Sequence, residues 1–134
     1  MKKWVAALRS GQYFQGPNYL KQTDKAGQVR HCCLGVLCEL YSQETSGAKF
    51  YEYSKGQDDK CWYFGGYRDF AAEMEELPIE VMEWSGITYA DGKCMCRTFD
   101  SSYKPCNSLA ELNDSGRKSF AEIADVIESN WEYL

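Results

Sequence analysis

HCCLGVLC, residues 31–38, contains the single histidine of this 134-residue chain and three of its seven cysteines. The helix predicted over residues 33–42 is apolar on nearly all sides, and a helix without a polar face is normally buried. Gly35, in the middle of that helix, costs about 1 kcal/mol relative to alanine, which predicts that a neighbouring backbone packs closely against it. The octet therefore predicts the centre of a hydrophobic core.

The sulfur atoms of the chain allow two further interpretations, a zinc site and a thiol nucleophile. A zinc set would combine Cys94 and Cys96 with His31 or Cys32 and with Cys61 or Cys106. Their spacing is not that of a standard zinc finger. A Cys33 thiol activated by His31 would begin the most apolar helix, where burial raises a thiol pKa. We therefore expect free, buried thiols as core packing, with no metal ion and no cofactor.

Polar turns between apolar runs predict short antiparallel hairpins around this helix. The first joins residues 18–23 to 28–32, and the second joins 49–54 to 61–67. In the second, alternation places Tyr51 and Tyr53 on one face and Trp62 and Phe64 on the other.

Asp91-Gly92 predicts a third hairpin, between residues 86–90 and 93–98. Short helices are expected over residues 2–10, 69–77 and 78–86, the last beginning at Pro78 and ending at Gly86.

Two S-x-x-E capping boxes, at Ser108 and Ser119, begin a pair of C-terminal helices. The fold class predicted for residues 1–134 is therefore α+β, as a single domain. In it, short antiparallel hairpins pack against several helices, including a C-terminal helical hairpin.

The charge and hydropathy of the chain exclude some partners. A formal net charge of −5 argues against binding to duplex nucleic acid, since phosphate contacts require lysine and arginine. No apolar run approaches the roughly 20 residues that span a bilayer. We therefore expect a cytoplasmic protein with no membrane partner.

Three groups of residues are candidates for binding a ligand. Rings crowd around Arg68 between residues 51 and 70, with Tyr63 among them, and such rings can stack nucleobases. Near the first helix and hairpin, five polar residues offer an anion clamp and its surroundings: Arg9, Tyr13, Gln15, Tyr19 and Arg30. Asn113 and Asp114 form a turn that also offers ligand contacts.

Four motifs make the sequence resemble a family of small proteins encoded by tailed phages and prophages. These are W-x3-LRSG-x-Y-x-QG (residues 4–16), CCLGVLC (32–38), LPIEVMEWSG (77–86) and LAELNDSG…SFAEIADVIE (109–128). The resemblance implies an accessory protein that acts in the cytoplasm of an infected bacterial cell. Small phage proteins of this kind often counter host defence, so an anti-defence role is implied.

The leading hypothesis is a nucleotide-binding sponge for immune evasion. It would sequester a small nucleotide immune signal, of the cyclic oligonucleotide or cyclic ADP-ribose type, without cleaving it, as a homo-oligomer. The alternative is an inhibitor that docks on a bacterial defence or host protein through exposed rings such as Trp62 and Trp131. A zinc- or thiol-dependent enzyme is the third class.

Overall fold

Residues 33–38 of the octet form the start of the central helix in the computed structural model, which describes residues 1–54, 60–65, 74–93 and 108–134. The elements follow in the order α1 (Lys2–Arg9), β1 (Lys21–Thr23), β2 (Val29–His31), α2 (Cys33–Glu44), β3 (Lys49–Ser54), β4 (Lys60–Gly65), α3 (Ile79–Ser85), α4 (Leu109–Asp114), α5 (Phe120–Asn130) and a final 3-10 turn (Trp131–Tyr133). The predicted α+β class is confirmed.

The four strands form one antiparallel sheet in the order β2-β1-β4-β3. Both predicted hairpins, β1–β2 and β3–β4, are confirmed. They are joined by the pairing of β1 with β4, which sets Lys21 opposite Trp62. Residue Gln15 adds a parallel bridge to His31 at the outer edge of β2.

The register divides the side chains between two faces of the sheet, because directly opposed residues point the same way. The helix face, which packs against α2, carries His31, Lys21, Trp62, Phe64, Phe50 and Glu52. The opposite face, here called the tyrosine face, carries Arg30, Gln22, Cys61, Tyr63, Tyr51 and Tyr53. The predicted division of Tyr51 and Tyr53 from Trp62 and Phe64 is confirmed.

Helix α2 lies at the centre of the core, where residues 33–38 are all buried. A Cβ atom built on Gly35 would lie 1.7 Å from the carbonyl oxygen of Leu20, which is itself fully buried. No side chain fits that space, so the helix meets the chain entering β1 backbone to backbone. The predicted close approach at Gly35 is confirmed.

The C-terminal helices begin as predicted. The Ser108 side chain accepts a hydrogen bond from the backbone N–H of Glu111, and Ser119 and Glu122 form the full capping box. Helix α1 packs on α5 and presents Trp4, whose indole N–H donates to the Cys33 carbonyl oxygen at 2.9 Å. Helices α1 and α4 thus both pack against α2, and α5 packs on α1 and α4.

Two predicted elements differ from the structure. Residues 74–77, the end of the helix predicted over 69–77, are not helical, and residues 69–73 lie outside the described ranges. Residues 87–90 form no strand, since backbone groups of Thr88 and Ala90 bond Leu134 and Leu77 instead of a hairpin partner. The rest of the third hairpin, from residue 94 onwards, also lies outside the described ranges.

Helix α3 is bounded as predicted, by Pro78 and by Gly86 in the left-handed region at φ 82°. Among the helices of the described ranges, none combines the length and the apolar character needed to cross a bilayer.

Substituting Gly35 tests the contact between α2 and β1. Gly35→Ala should lower the free energy of unfolding by at least about 3 kcal/mol, since overpacking against a backbone oxygen cannot relax cheaply. Gly27→Ala is the control, because Gly27 has a positive φ of 80° but no atom of the described residues lies within 4 Å of an added Cβ. It should cost about 1–2 kcal/mol. Urea denaturation measures both, and equal losses would contradict this account of Gly35.

Candidate functional site: the two faces of the sheet

The tyrosine face presents stacked rings. Tyr51 and Tyr63 lie opposite each other on β3 and β4, with ring centroids 5.3 Å apart and planes 17° apart. Tyr53 follows on the same face and is 47% exposed, and the Lys49 ammonium lies 5.5 Å from the Tyr51 ring centroid. These residues offer flat apolar surface beside a cation.

Arg30 lies on this same face, because β1 joins the two hairpins. Arg30 is opposite Gln22, and Gln22 is opposite Cys61, two residues before Tyr63 on β4. The Arg30 guanidinium donates to the Asp24 carboxylate at 2.7 Å and to the Gln15 carbonyl oxygen at 3.0 Å. The structure therefore brings two predicted site residues, Arg30 and Tyr63, to one surface.

The Arg30 ion pair leaves part of the guanidinium accessible, with 38% of its side chain exposed. The hydrogen bond from Arg30, followed by backbone N–H groups of Gln28 and Ala26, lowers the pKa of Asp24. Asp24 is therefore ionised at neutral pH, and a ligand anion must compete with it for Arg30.

Arg9 is held elsewhere. Its guanidinium bonds Asp125 and Glu128 on α5, whereas Arg30 pairs with Asp24 in the turn between β1 and β2. Tyr19 is half-buried just before β1. Arg68 lies outside the described residues.

Asn113 and Asp114 lie in the last turn of α4 and not in the predicted turn, and the Asn113 side chain bonds other segments of the chain. Its amide oxygen accepts from the Gln15 side chain and from the backbone N–H of Cys33, both at 3.2 Å. Its amide nitrogen donates to the Gly16 carbonyl oxygen and to Asp114, each at 2.9 Å. Asp114 also accepts from the backbone N–H of Asn18 at 2.8 Å. Gln15, Asn113 and Asp114 thus fix the N-terminal segment beside α2.

Burial suppresses the reactivity of the α2 cysteines. It raises the pKa of Cys32 to about 12 and that of Cys33 and Cys38 well above the usual range. The Cys32 sulfur accepts from the backbone N–H of Gly35, which caps the helix. These three thiols are free and buried, as predicted, and Cys61 is also buried, whereas Cys94, Cys96 and Cys106 lie outside the described ranges.

Across the part of the chain that the structure describes, no group of three histidine, cysteine or acidic residues is placed to hold a metal ion. Trp62 and Trp131, predicted as exposed rings, are both half-buried, and Trp131 packs against the core.

The helix face carries a polar cluster of Lys21, His31 and Glu39. One carboxylate oxygen of Glu39, on α2, lies 2.7 Å from Lys21 Nζ and 2.9 Å from His31 Nε2. Lys21 Nζ also lies 4.4 Å from the Trp62 ring centroid and 4.9 Å from that of Phe50. The cluster is a shielded ion pair with a histidine attached, enclosed by aromatic rings.

The ionisation of Glu39 follows from its contacts. Burial disfavours the charged form of Glu39, but hydrogen bonds from His31 and Lys21 outweigh burial, so the pKa of Glu39 is lowered. An ionised carboxylate only accepts hydrogen bonds, so the proton of this bond belongs to His31 Nε2. In the neutral ring, Nδ1 then carries a lone pair.

Sequence reasoning missed this cluster because it weighed His31 only against cysteines. The usable signal was a glutamate eight residues after the single histidine, on the turn of α2 that follows Gly35.

Glu39→Gln tests the ionised cluster through the pH dependence of stability. A lowered folded-state pKa stabilises the protein above the unfolded value of about 4.5, and that stability is lost as pH falls through the folded pKa. The wild type should therefore be more stable than the variant at pH 7, and the difference should shrink below about pH 4.5. Urea denaturation across pH 3–7 measures it, and a constant difference would contradict the assignment.

Comparison with known proteins returns one family. Its model, described as a domain of unknown function (DUF8296), matches residues 1–131. No curated protein and no solved structure matches the chain. Since the match covers nearly the whole sequence, the chain belongs to the DUF8296 family.

Proposed function

We propose that the protein binds a small nucleotide on the tyrosine face and holds it without cleaving it. The observation that carries the proposal is the placement of Arg30 and the stacked Tyr51–Tyr63 pair on one face of one sheet. Stacking on an aromatic side chain contributes about 1–3 kcal/mol per base, and a guanidinium suits phosphate. The base of a nucleotide would stack on the Tyr51–Tyr63 pair, and its phosphate would bind Arg30.

The local charge supports an anionic ligand although the whole chain carries −5. Arg30 and Lys49 lie on the tyrosine face at opposite edge strands of the sheet. Glu52 lies on the helix face, where it pairs with Lys60 at 3.0 Å. A phosphate would therefore meet cations on the tyrosine face, with Asp24 as the carboxylate to be displaced.

Capture is favoured over turnover by the state of the thiols. Cys32, Cys33 and Cys38 are buried with raised pKa values, so they are poor nucleophiles at neutral pH.

The biological setting that we propose rests on the resemblance to phage proteins. In the cytoplasm of an infected bacterium, the ligand would be a cyclic oligonucleotide or a cyclic ADP-ribose derivative, and the protein would act as an anti-defence sponge. A symmetric homo-oligomer would place two tyrosine faces around one cyclic ligand.

Tyr63→Leu tests the stacking surface. The purified protein is mixed with cyclic dinucleotides and cyclic ADP-ribose derivatives, binding is measured by calorimetry, and the nucleotide is recovered after denaturation. The variant should bind about tenfold more weakly, because leucine keeps bulk but not a stacking plane. Recovery of intact nucleotide supports capture.

Tyr133→Leu is the matched control, since Tyr133 is 56% exposed and lies in the C-terminal 3-10 turn, outside the sheet. It should change affinity by less than about twofold. Equal effects of the two substitutions, or degraded nucleotide, would contradict the proposal.

Asp24→Asn tests the competition for Arg30. The asparagine oxygen can keep the turn bonds from the backbone N–H groups of Ala26 and Gln28, while the oxygen that holds Arg30 becomes an amide nitrogen. Affinity for the nucleotide should rise about twofold to fivefold. Glu52→Gln changes the net charge equally without touching Arg30, so an equal rise in both variants would contradict the model of a displaced carboxylate.

A second candidate function is favoured by exposed apolar side chains. Ile79 is 70% exposed, and Trp84 and Tyr89 are 39% and 45% exposed. Such residues serve as anchors in protein interfaces. Under this alternative, the protein would co-purify with a bacterial defence or host protein, and none of the nucleotides would raise its Tm.

A further inference from the structure

Two buried nitrogen atoms on the helix face have no hydrogen-bond partner among the residues that the structure describes. They are His31 Nδ1 and Trp62 Nε1. Buried polar groups are nearly always paired, so an unpaired one indicates a binding partner beyond the described residues. His31 as a whole is 6% exposed, so its unpaired atom is well shielded from solvent.

The two atoms have opposite roles. Glu39 fixes the proton of His31 on Nε2, so Nδ1 is an acceptor in the neutral ring. The indole nitrogen of Trp62 is a donor only. A partner for both must therefore present one donor and one acceptor.

The side chains converge above this face. His31 is on β2 and Phe50 is on β3, the two edge strands, which are three strand spacings or roughly 14 Å apart. Their ring centroids are nevertheless 6.1 Å apart. Lys21, between His31 and Trp62 in the register, reaches both Phe50 and Trp62. The rings of the two edge strands therefore meet over the helix face, beside the Lys21 side chain.

Tyr13 covers the His31 end of this face. Its ring meets that of His31 edge-on at 5.3 Å, and it is half-buried. Its hydroxyl accepts a long bond of 3.4 Å from the exposed Gln43 amide. Displacing Tyr13 would thus cost little hydrogen-bond energy while uncovering His31.

The charges at this end favour an uncharged partner. Lys21 and Glu39 neutralise each other, and a lone pair on His31 Nδ1 repels an anion. This chemistry differs from that of the tyrosine face, where Arg30 suits phosphate.

We propose that the helix face holds a second binding site, for a small uncharged heterocycle that donates an N–H to His31 Nδ1 and accepts from Trp62 Nε1. Tyr13, Phe50 and Trp62 supply the aromatic walls, and Glu39 keeps the His31 lone pair pointing inward. The site is independent of nucleotide capture on the tyrosine face.

The test uses the single histidine as a reporter. In ¹⁵N-labelled wild-type protein at pH 7.5, the imidazole spectrum should show a proton on Nε2 and none on Nδ1. Adenine carries N–H donors beside ring-nitrogen acceptors, and its addition to millimolar concentration should shift the Nδ1 resonance and one indole N–H. N6,N6,9-trimethyladenine keeps the ring but has no N–H, so it should leave Nδ1 unshifted.

Variants separate this site from the tyrosine face. Trp62→Phe keeps a ring but removes the donor, and it should weaken adenine binding about tenfold, whereas Trp131→Phe and Tyr63→Leu should leave it unchanged. Two results for the wild type would overturn the proposal: a proton on Nδ1 in the free protein, or no Nδ1 shift with adenine. It would also be overturned by an equal shift with the trimethyl derivative or by loss of adenine binding in Tyr63→Leu.

Discussion

The contact between Gly35 and the carbonyl oxygen of Leu20 determines how the helix and the sheet meet. Because Gly35 has no side chain, α2 approaches the backbone that leads into β1. Glu39 lies one turn further along the same side of α2, and Lys21 follows Leu20. The close approach therefore brings the Glu39 carboxylate within hydrogen-bond distance of Lys21 and His31. The absence of a side chain at Gly35 thus positions α2 in the core and also the polar cluster of Lys21, His31 and Glu39.

Features set by local chemistry could be predicted from the sequence. Polar turns defined two hairpins, capping serines defined two helices, and Gly35 in an apolar helix indicated a close neighbour. The pairing of β1 with β4 could not be predicted, since it joins residues about forty positions apart with no turn between them. That pairing decides which side chains share a face, so Arg30 and Tyr63 could be named separately but not placed together. The strand predicted over residues 86–90 is wrong, because an Asp-Gly turn also occurs in loops that join no strands.

The two faces of the sheet differ in how their charges are satisfied. On the tyrosine face, the Arg30–Asp24 pair is partly exposed and can exchange partners with a ligand. On the helix face, the Lys21–Glu39 pair is shielded, with 16% and 19% of the side chains exposed, so separating it is costly. One sheet thus combines an adaptable charged surface with a rigid polar cluster. This contrast explains why the two proposed ligands differ in charge.

The three buried cysteines at the start of α2 can report how often the core opens. Cys32, Cys33 and Cys38 are buried and held in the protonated form, so an alkylating reagent can modify them only in molecules where the core has transiently opened. Their modification rate therefore reports the population of opened molecules when reclosing outpaces the chemistry. Alkylation of these three cysteines thus measures how often the centre of the domain opens.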